Sequence, residues 1–337
     1  PVSMPMRISE ICGPVHTEAG SVLQFRRQLG MLEELLTKYE LPPSRLWWDH
    51  YPSGCGGLAP CPNGSFPAAW PQFVELVRSK SPSTIICPGP DCDGHQGESG
   101  LATYPSWFPC HPEPDPARPA VELKCGDHAP NDSLAGFHPY EACATMHNGW
   151  FCKGDGLNLT TNKYWSAGEI WDHYMASVGV GWVNTLNAPP GTTGQIPQPL
   201  VREMTTFGDA LRTLLKPVVP PISNVVGDAC QNSTIATIKL DDDRSFNAII
   251  TREDLSQGQR IVSYALDYST DFGASWQEFQ FSTKHGASVG AQMIDFVSPA
   301  PPSGVRQVRF RCISSMAEPV YLSSFSLHAG ARPPPEL

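Results

Sequence analysis

Two carboxylates stand where they could do chemistry together. Asp49 ends the apolar run Leu46-Trp47-Trp48-Asp49-His50, and Glu98 lies in the glycine-rich stretch Gly89-Pro90-Asp91-Cys92-Asp93-Gly94-His95-Gln96-Gly97-Glu98-Ser99-Gly100. A pair of acids is the minimal equipment for breaking a glycosidic bond, one ionised and one protonated. An apolar run ending in an acid reads as a buried strand that delivers the acid to its C-terminus, where α/β barrels carry their reactive groups. Thr84-Ile85-Ile86-Cys87 is a second such run and leaves through Pro88-Gly89-Pro90, so Glu98 also follows a strand. If the two strands are parallel, both acids fall at one end of the sheet.

The elements that must position these acids are legible as an α/β rhythm. Val22, Phe25, Leu29, Leu32 and Leu36 form one apolar stripe, which predicts a helix over Ser21 to Tyr39 that Leu41-Pro42-Pro43 stops. A strand from Arg45 to Trp48 follows, and then a helix from about Pro67 to Ser79 with Trp70, Phe73, Val74 and Val77 on one side. From Thr103 to Asp132 the chain is rich in proline and shows no periodicity, which reads as a long loop stapled through Cys110 and Cys125. Tyr140 to Met146 and Gly149-Trp150-Phe151 come next. Ser166 with Glu169 is a capping box opening a helix to Ser177. Gly181 to Asn187 is a further strand, and a helix from Pro199 to Leu215 closes a first domain, 1–217. Lys216-Pro217 to Pro220-Pro221 reads as a stiff linker.

Beyond it the pattern changes to short alternating segments: Ile235 to Leu240, Asn247 to Thr251, Arg260 to Tyr268, Trp276 to Phe281, Gln292 to Phe296, Val305 to Cys312 and Val320 to Leu327. Turns such as Asp271-Phe272-Gly273 divide them, which predicts an antiparallel β-sandwich over 218–337. Asp241-Asp242-Asp243 lacks the staggered spacing of a calcium loop and reads as a solvated turn. Ala331 to Leu337 reads as a loose end.

Composition narrows the function classes. The chain of 337 residues is 40% apolar and 17% charged, with no apolar run long enough for a membrane span. A formal charge of -10 argues against nucleic acid as a partner and is compatible with a neutral substrate. Eleven cysteines and the sequons at Asn63, Asn131, Asn158 and Asn232 point to the secretory route and to a secreted or lysosomal protein, with those asparagines as glycosylation sites. No CxxC pair is present, so structural disulfides are expected rather than a metal site. The odd count leaves at least one thiol unpaired within the chain, and Cys87 is a candidate. The chain begins at Pro1 with no leader peptide, so its numbering is expected to start after processing or truncation.

Several blocks together resemble the α-L-fucosidases of glycoside hydrolase family 29. They are Phe25-Arg26-Arg27-Gln28-Leu29 through Glu34-Leu35-Leu36-Thr37-Lys38-Tyr39 to Leu46-Trp47-Trp48-Asp49, Gly89-Pro90-Asp91 with Gly97-Glu98-Ser99-Gly100-Leu101-Ala102, and Glu141-Ala142-Cys143-Ala144-Thr145-Met146. Tyr174-Met175-Ala176-Ser177-Val178-Gly179, Leu186-Asn187-Ala188-Pro189-Pro190 with Gly194-Gln195-Ile196, and Phe207-Gly208 follow in order. Glu253-Asp254-Leu255, Gly258-Gln259-Arg260 and Ser288-Val289-Gly290 are similar to the family's C-terminal sandwich. The resemblance implies an α/β fold, a (β/α)8 TIM-like barrel followed by the antiparallel sandwich, and a retaining hydrolase that removes terminal α-L-fucose from a fucosylated glycan. By its pattern Asp49 is the nucleophile and, in the branch preferring α-1,3 and α-1,4 linkages, Glu98 the acid/base. Trp48, His50, Trp107, Glu141 and Trp150 are the candidates for substrate binding, and no cofactor or metal is implied.

Two departures from the family matter. His50 follows Asp49 where the family has glycine, and Asp93-Gly94-His95-Gln96-Gly97 replaces a Trp-x-Gly-Asn run. The family's nucleophile also lies well over a hundred residues into its barrel, so this chain is expected to carry roughly the later five of eight strands. A half-barrel would leave strand edges bare, so a partner segment or chain is expected to complete it. The alternative is a fucosidase-like glycan-binding or structural glycoprotein without turnover.

Overall fold

The computed structural model describes residues 3–6, 18–39, 43–48, 65–87, 95–97, 101–102, 104–107, 111–115, 118–124, 140–147, 150, 164–191 and 194–333. The chain divides into two compact units, Pro1–His95 with Pro112–Leu123, and Gln96–His111 with Lys124–Leu337. The sequence boundary at 217/218 thus lies inside the second unit.

The first unit is built from β1 (Ser3–Met6), α1 (Glu18–Thr37), β2 (Arg45–Trp48), α2 (Ser65–Lys80) and β3 (Ile85–Cys87). Its three strands run parallel in the order β1-β2-β3, with Leu46 opposite Met4 on one side and Ile86 on the other. The apolar stripe of α1 supplies Leu32 and Leu36, which pack with Leu46, Phe73, Val77 and Ile86 into one core. Both helices and the strand leading to Asp49 therefore form where the periodicity places them. The proline-rich stretch differs from its expected loop, because it holds the paired strands β5 (His111–Asp115) and β6 (Arg118–Lys124). A two-stranded sheet has only edge strands, and Pro112 and Pro114, two residues apart, aim their missing donors at the same side. Cys110 and Cys125, the expected staple, lie outside the described residues.

In the second unit β4 (His95–Gly97), whose first residue is assigned to the first unit, forms a sheet with β7 (Tyr140–Thr145) and β8 (Val183–Asn187) in the order β4-β7-β8. β7 and β8 are parallel, and α3 (Ala167–Met175) crosses between them. Ser166 Oγ accepts from the Glu169 amide while the Glu169 carboxylate accepts from the Ser166 amide, the expected capping box. A second carboxylate serves the same helix end: buried Glu203 of α4 (Gln198–Leu214) accepts from the Ala167 amide at 2.8 Å.

The sandwich strands are β9 (Ile222–Gly227), β10 (Ser233–Lys239), β11 (Ala248–Glu253), β12 (Ile261–Ser269), β13 (Gln277–Glu278), β14 (Met293–Phe296), β15 (Gln307–Ser315) and β16 (Val320–His328). They form two four-stranded antiparallel sheets, β10-β15-β12-β13 and β14-β11-β16-β9. β11 shows why this half coheres with the helices. Ile249 faces the sandwich core, whereas Ala248 and Ile250 pack with Trp171 of α3 and Leu214 of α4. A strand buried on both faces reads as a continuous apolar run, as Ala248-Ile249-Ile250 does.

Three smaller expectations resolve differently. The proline linker is pinned along β16, since the Val218 amide donates to Leu327 O at 2.9 Å and Val218 and Val219 pack against the core. Within the tail Arg332 makes two bonds to Asp172 of α3, at 2.7 and 2.6 Å, and residues 334–337 lie outside the described residues. β13 is shorter than its segment suggests. The turn before it is fixed by Asp271, which accepts from the Ser275 amide and hydroxyl, and these donors with Ser269 hold its carboxyl down to about 2.

Glu253, at the end of β11, is a buried carboxylate inside this fold. Oε1 accepts from the Arg260 and Ile261 amides at 2.8 and 3.0 Å, and Oε2 from the Gly290 amide at 2.9 Å. Burial pushes the group up to about 7 against the pull of these donors and of the Arg260 charge. A folded value above the unfolded one means that the folded state holds the extra proton. Its stability contribution is full below about 4.5 and is lost as pH rises through about 7, about 3 kcal/mol in all. Urea unfolding of wild type and Glu253→Gln between pH 4.5 and 7.5 should show the wild type losing that advantage with rising pH. Parallel profiles would contradict it.

Candidate functional site

The parallel pair β7–β8 has one apolar and one polar face, and the alternation of the strands decides which residues go where. Ala142 packs with Trp182, and Met146 just past β7 packs with Leu186 of β8, Ile170 of α3 and Leu200 of α4, so these side chains face the helices. Glu141, Cys143 and Thr145, with Val183, Thr185 and Asn187 opposite them in register, take the other face. Thr185 Oγ1 donates to Glu141 Oε1 across the strands. At the C-terminal ends, Asn187 Nδ2 donates to Thr145 Oγ1 at 3.2 Å and to Trp150 O at 2.9 Å. One amide group thus fixes β7, β8 and the loop that carries Trp150.

The strand ends continue this fixation. The Met146 amide donates to Asn187 O at 2.9 Å, and the Trp165 amide to Met146 O at 2.8 Å. His147 follows immediately, only 7% exposed, and neither ring nitrogen has a hydrogen-bond partner among the described residues. A polar row at the C-terminal end of parallel strands is where an α/β sheet binds ligands. It has the hydroxyl and amide groups suited to a polyhydroxylated, neutral molecule, while the Glu141 carboxylate lies toward the N-terminal end of β7. Asn187→Ala removes the two hydrogen bonds that its amide gives to the Trp150 carbonyl and the Thr145 hydroxyl. The expected cost is about 1–3 kcal/mol in denaturant unfolding, and a change within error would contradict the clamp.

Of the residues singled out from sequence, Trp48 ends β2, while Asp49, His50 and Glu98 lie outside the described residues. By sequence Asp49 belongs to the first unit and Glu98 to the second. Glu141 is in β7 at the start of the polar row, and half-buried Trp150 offers its carbonyl to Asn187. Trp107 is 3% exposed and has the burial of a core residue. Its neighbour Ser106 is tied down by Trp182 Nε1 donating to its hydroxyl at 3.1 Å and by Gln259 Nε2 and Ser288 Oγ donating to its carbonyl at 2.8 and 2.6 Å. Beside it, burial pushes the Tyr104 phenol up to about 12. Asn63, Asn131 and Asn158 lie outside the described residues, and Asn232 is exposed in the turn before β10. Thr145, Thr185, Asn187 and His147 are functional candidates that pattern reading of the chain does not single out. Their signal was polar residues at alternate positions in strands that otherwise bury.

Among the described residues no three His, Cys, Asp or Glu side chains are grouped to hold a metal ion. No described helix is long and apolar enough to cross a membrane.

No family model matches the chain. It is 24% identical over 304 residues to alpha-L-fucosidase 1 of Arabidopsis thaliana, covering 79% of this chain and 56% of that protein. The chain is similar to alpha-L-fucosidases. Among solved structures, a Bacteroides ovatus protein carrying an alpha-L-fucosidase assignment superposes with a TM-score of 0.69 at 20% identity, over 99% of this chain and 56% of that one. A Ruminococcus gnavus fucosidase of glycoside hydrolase family 29, solved in complex with fucose, superposes with a TM-score of 0.64 at 15% identity, over 90% of this chain and 65% of that one. These likenesses establish a shared fold. The chain spans about half the length of the plant relative.

Proposed function

We propose that the chain is the later part of a retaining α-L-fucosidase acting on terminal fucose of α-1,3- or α-1,4-linked glycans. The observation that carries it is the fold likeness to fucosidase structures over 99% of the chain, joined to the acid-bearing blocks at Asp49 and Glu98. In this chemistry ionised Asp49 attacks the anomeric carbon of fucose while Glu98 gives its proton to the departing glycosidic oxygen. A fucosyl ester on Asp49 and a free aglycone result. Glu98, now a carboxylate, takes a proton from water as the water attacks the same carbon. Fucose leaves with retained configuration and both acids return to their starting states.

Trp48 and His50 flank the nucleophile in sequence, and Glu141 and Trp150 on the polar row of β7–β8 serve the sugar's hydroxyls and apolar face. Trp107 supports the fold from the interior. A (β/α)8 barrel, completed by a partner segment or chain, belongs to this reading. The buried disulfide between Cys230 and Cys312 supports an oxidising compartment, hence a secreted or lysosomal protein.

The test is release of 4-nitrophenol from its α-L-fucoside by the protein as isolated. Turnover supports the hydrolase. One feature favours a second possibility, a glycan-binding glycoprotein without turnover: the bulky His50 beside Asp49, where the family has glycine. Saturable fucose binding with no nitrophenol release would decide for it.

A further inference from the structure

The two sheets of the sandwich each end in an edge strand, β9 in one and β10 in the other, and these two strands lie close to each other. Edge strands present unpaired backbone groups and are normally guarded by charge, proline or a covering segment. β9 reads Ile-Ser-Asn-Val-Val-Gly and has no charge and no proline. β10 reads Ser-Thr-Ile-Ala-Thr-Ile-Lys, with its one charge, Lys239, at the far end. Two apolar side chains lie open nearby, Val226 on β9 at 56% exposure and Ile313 on β15 at 41%.

The turn that joins β9 to β10 holds the sequon Asn232-Ser233-Thr234. Gln231 and Asn232 both take the left-handed conformation, with φ of 36° and 68°, which lifts Asn232 out of the strand and leaves it exposed. Its amide N–H donates to Ile313 O at 3.3 Å, and its Oδ1 accepts from Arg311 Nη1. Nδ2, the atom that glycosylation joins, has no hydrogen-bond partner among the described residues. Thr234 is exposed two residues on. The Cys230–Cys312 disulfide anchors this same turn, which marks the oxidising compartment in which N-glycosylation also occurs.

We propose that Asn232 carries an N-linked oligosaccharide that covers the β9 and β10 edges and keeps them from pairing with another chain. The donor is a lipid-linked oligosaccharyl pyrophosphate. Nδ2 bonds to the sugar's anomeric carbon, the bond from that carbon to the pyrophosphate oxygen breaks, the lipid pyrophosphate leaves, and Nδ2 gives up one proton.

Peptide mapping of the protein isolated from its source, before and after an amidase that removes N-glycans, tests the site. The Asn232 peptide should carry a sugar mass and read as aspartate after treatment; a wholly unmodified peptide would overturn the site. Thr234→Ala, which leaves Asn232 and the core intact, tests the covering role. That variant, expressed in the same host, should lose one glycan and self-associate several-fold more by light scattering at equal concentration. Adding Val226→Lys should reverse the association. A Thr234→Ala protein that scatters like wild type would overturn the covering role.

Discussion

Asp49→Asn should abolish fucoside hydrolysis almost completely, lowering kcat by about 10³- to 10⁵-fold, or about 4–7 kcal/mol of barrier. The substitution is isosteric, so the loss comes from charge and chemistry. An amide nitrogen or a neutral carbonyl oxygen cannot form the fucosyl ester, and the positive charge that develops at the anomeric carbon loses its ionised partner. Fucose affinity should change little, because ground-state contacts to the sugar hydroxyls remain. Nitrophenol release by wild type and variant, with fucose affinity measured alongside, checks this. A variant that keeps more than a tenth of wild-type activity would remove Asp49 from the nucleophile's role.

The second large effect concerns stability. Cys230 and Cys312 are buried in the core cluster of the sandwich, and their bond closes a loop with a sequence separation of 82. It ties the turn before β10 to the middle of β15, next to the register pair Ser233 and Cys312. Removing a cross-link over such a loop releases about 4–5 kcal/mol of chain entropy to the unfolded state. The double variant Cys230→Ala with Cys312→Ala should therefore unfold at a clearly lower urea concentration, with a steeper denaturant dependence as the unfolded chain expands. A loss under about 1 kcal/mol would mean that the core alone holds β10 to β15.

How much of this was legible in the sequence follows from what each residue had to reveal. The stripe Leu29, Leu32, Leu36 and the runs around Leu46 and Ile86 announced the first unit, because burial on one face leaves a period in the chain. The sandwich strands β10, β11, β12, β14, β15 and β16 were read for the same reason. β9 was missed because it follows the three prolines Pro217, Pro220 and Pro221 and is an edge strand, half solvated and with little alternation. The prolines of β5 misled in the opposite direction, since edge pairing tolerates them. Whether α3 and α4 pack on β11 and β14 depends on contacts between Trp171, Leu214, Ala248 and Ile294, which no local period encodes.

The candidate site divides similarly. Glu141 and Trp150 stood out as residue types, whereas Asn187 gained its importance only from what its amide reaches, Thr145 across the sheet and Trp150 across a loop. Trp107 showed the converse. A tryptophan that could stack on a sugar is buried beside Ser106, whose three partners come from 76 to 182 residues away.

The most direct measurement of the central claim is covalent trapping. Incubation with a 2-deoxy-2-fluoro-α-L-fucosyl substrate bearing a good leaving group slows breakdown of the ester more than its formation, and peptide mass spectrometry then locates the label. The proposed mechanism predicts one fluorofucosyl mass, on the peptide containing Asp49 and on that side chain. A label on any other carboxylate, or turnover with no labelled peptide, would contradict it.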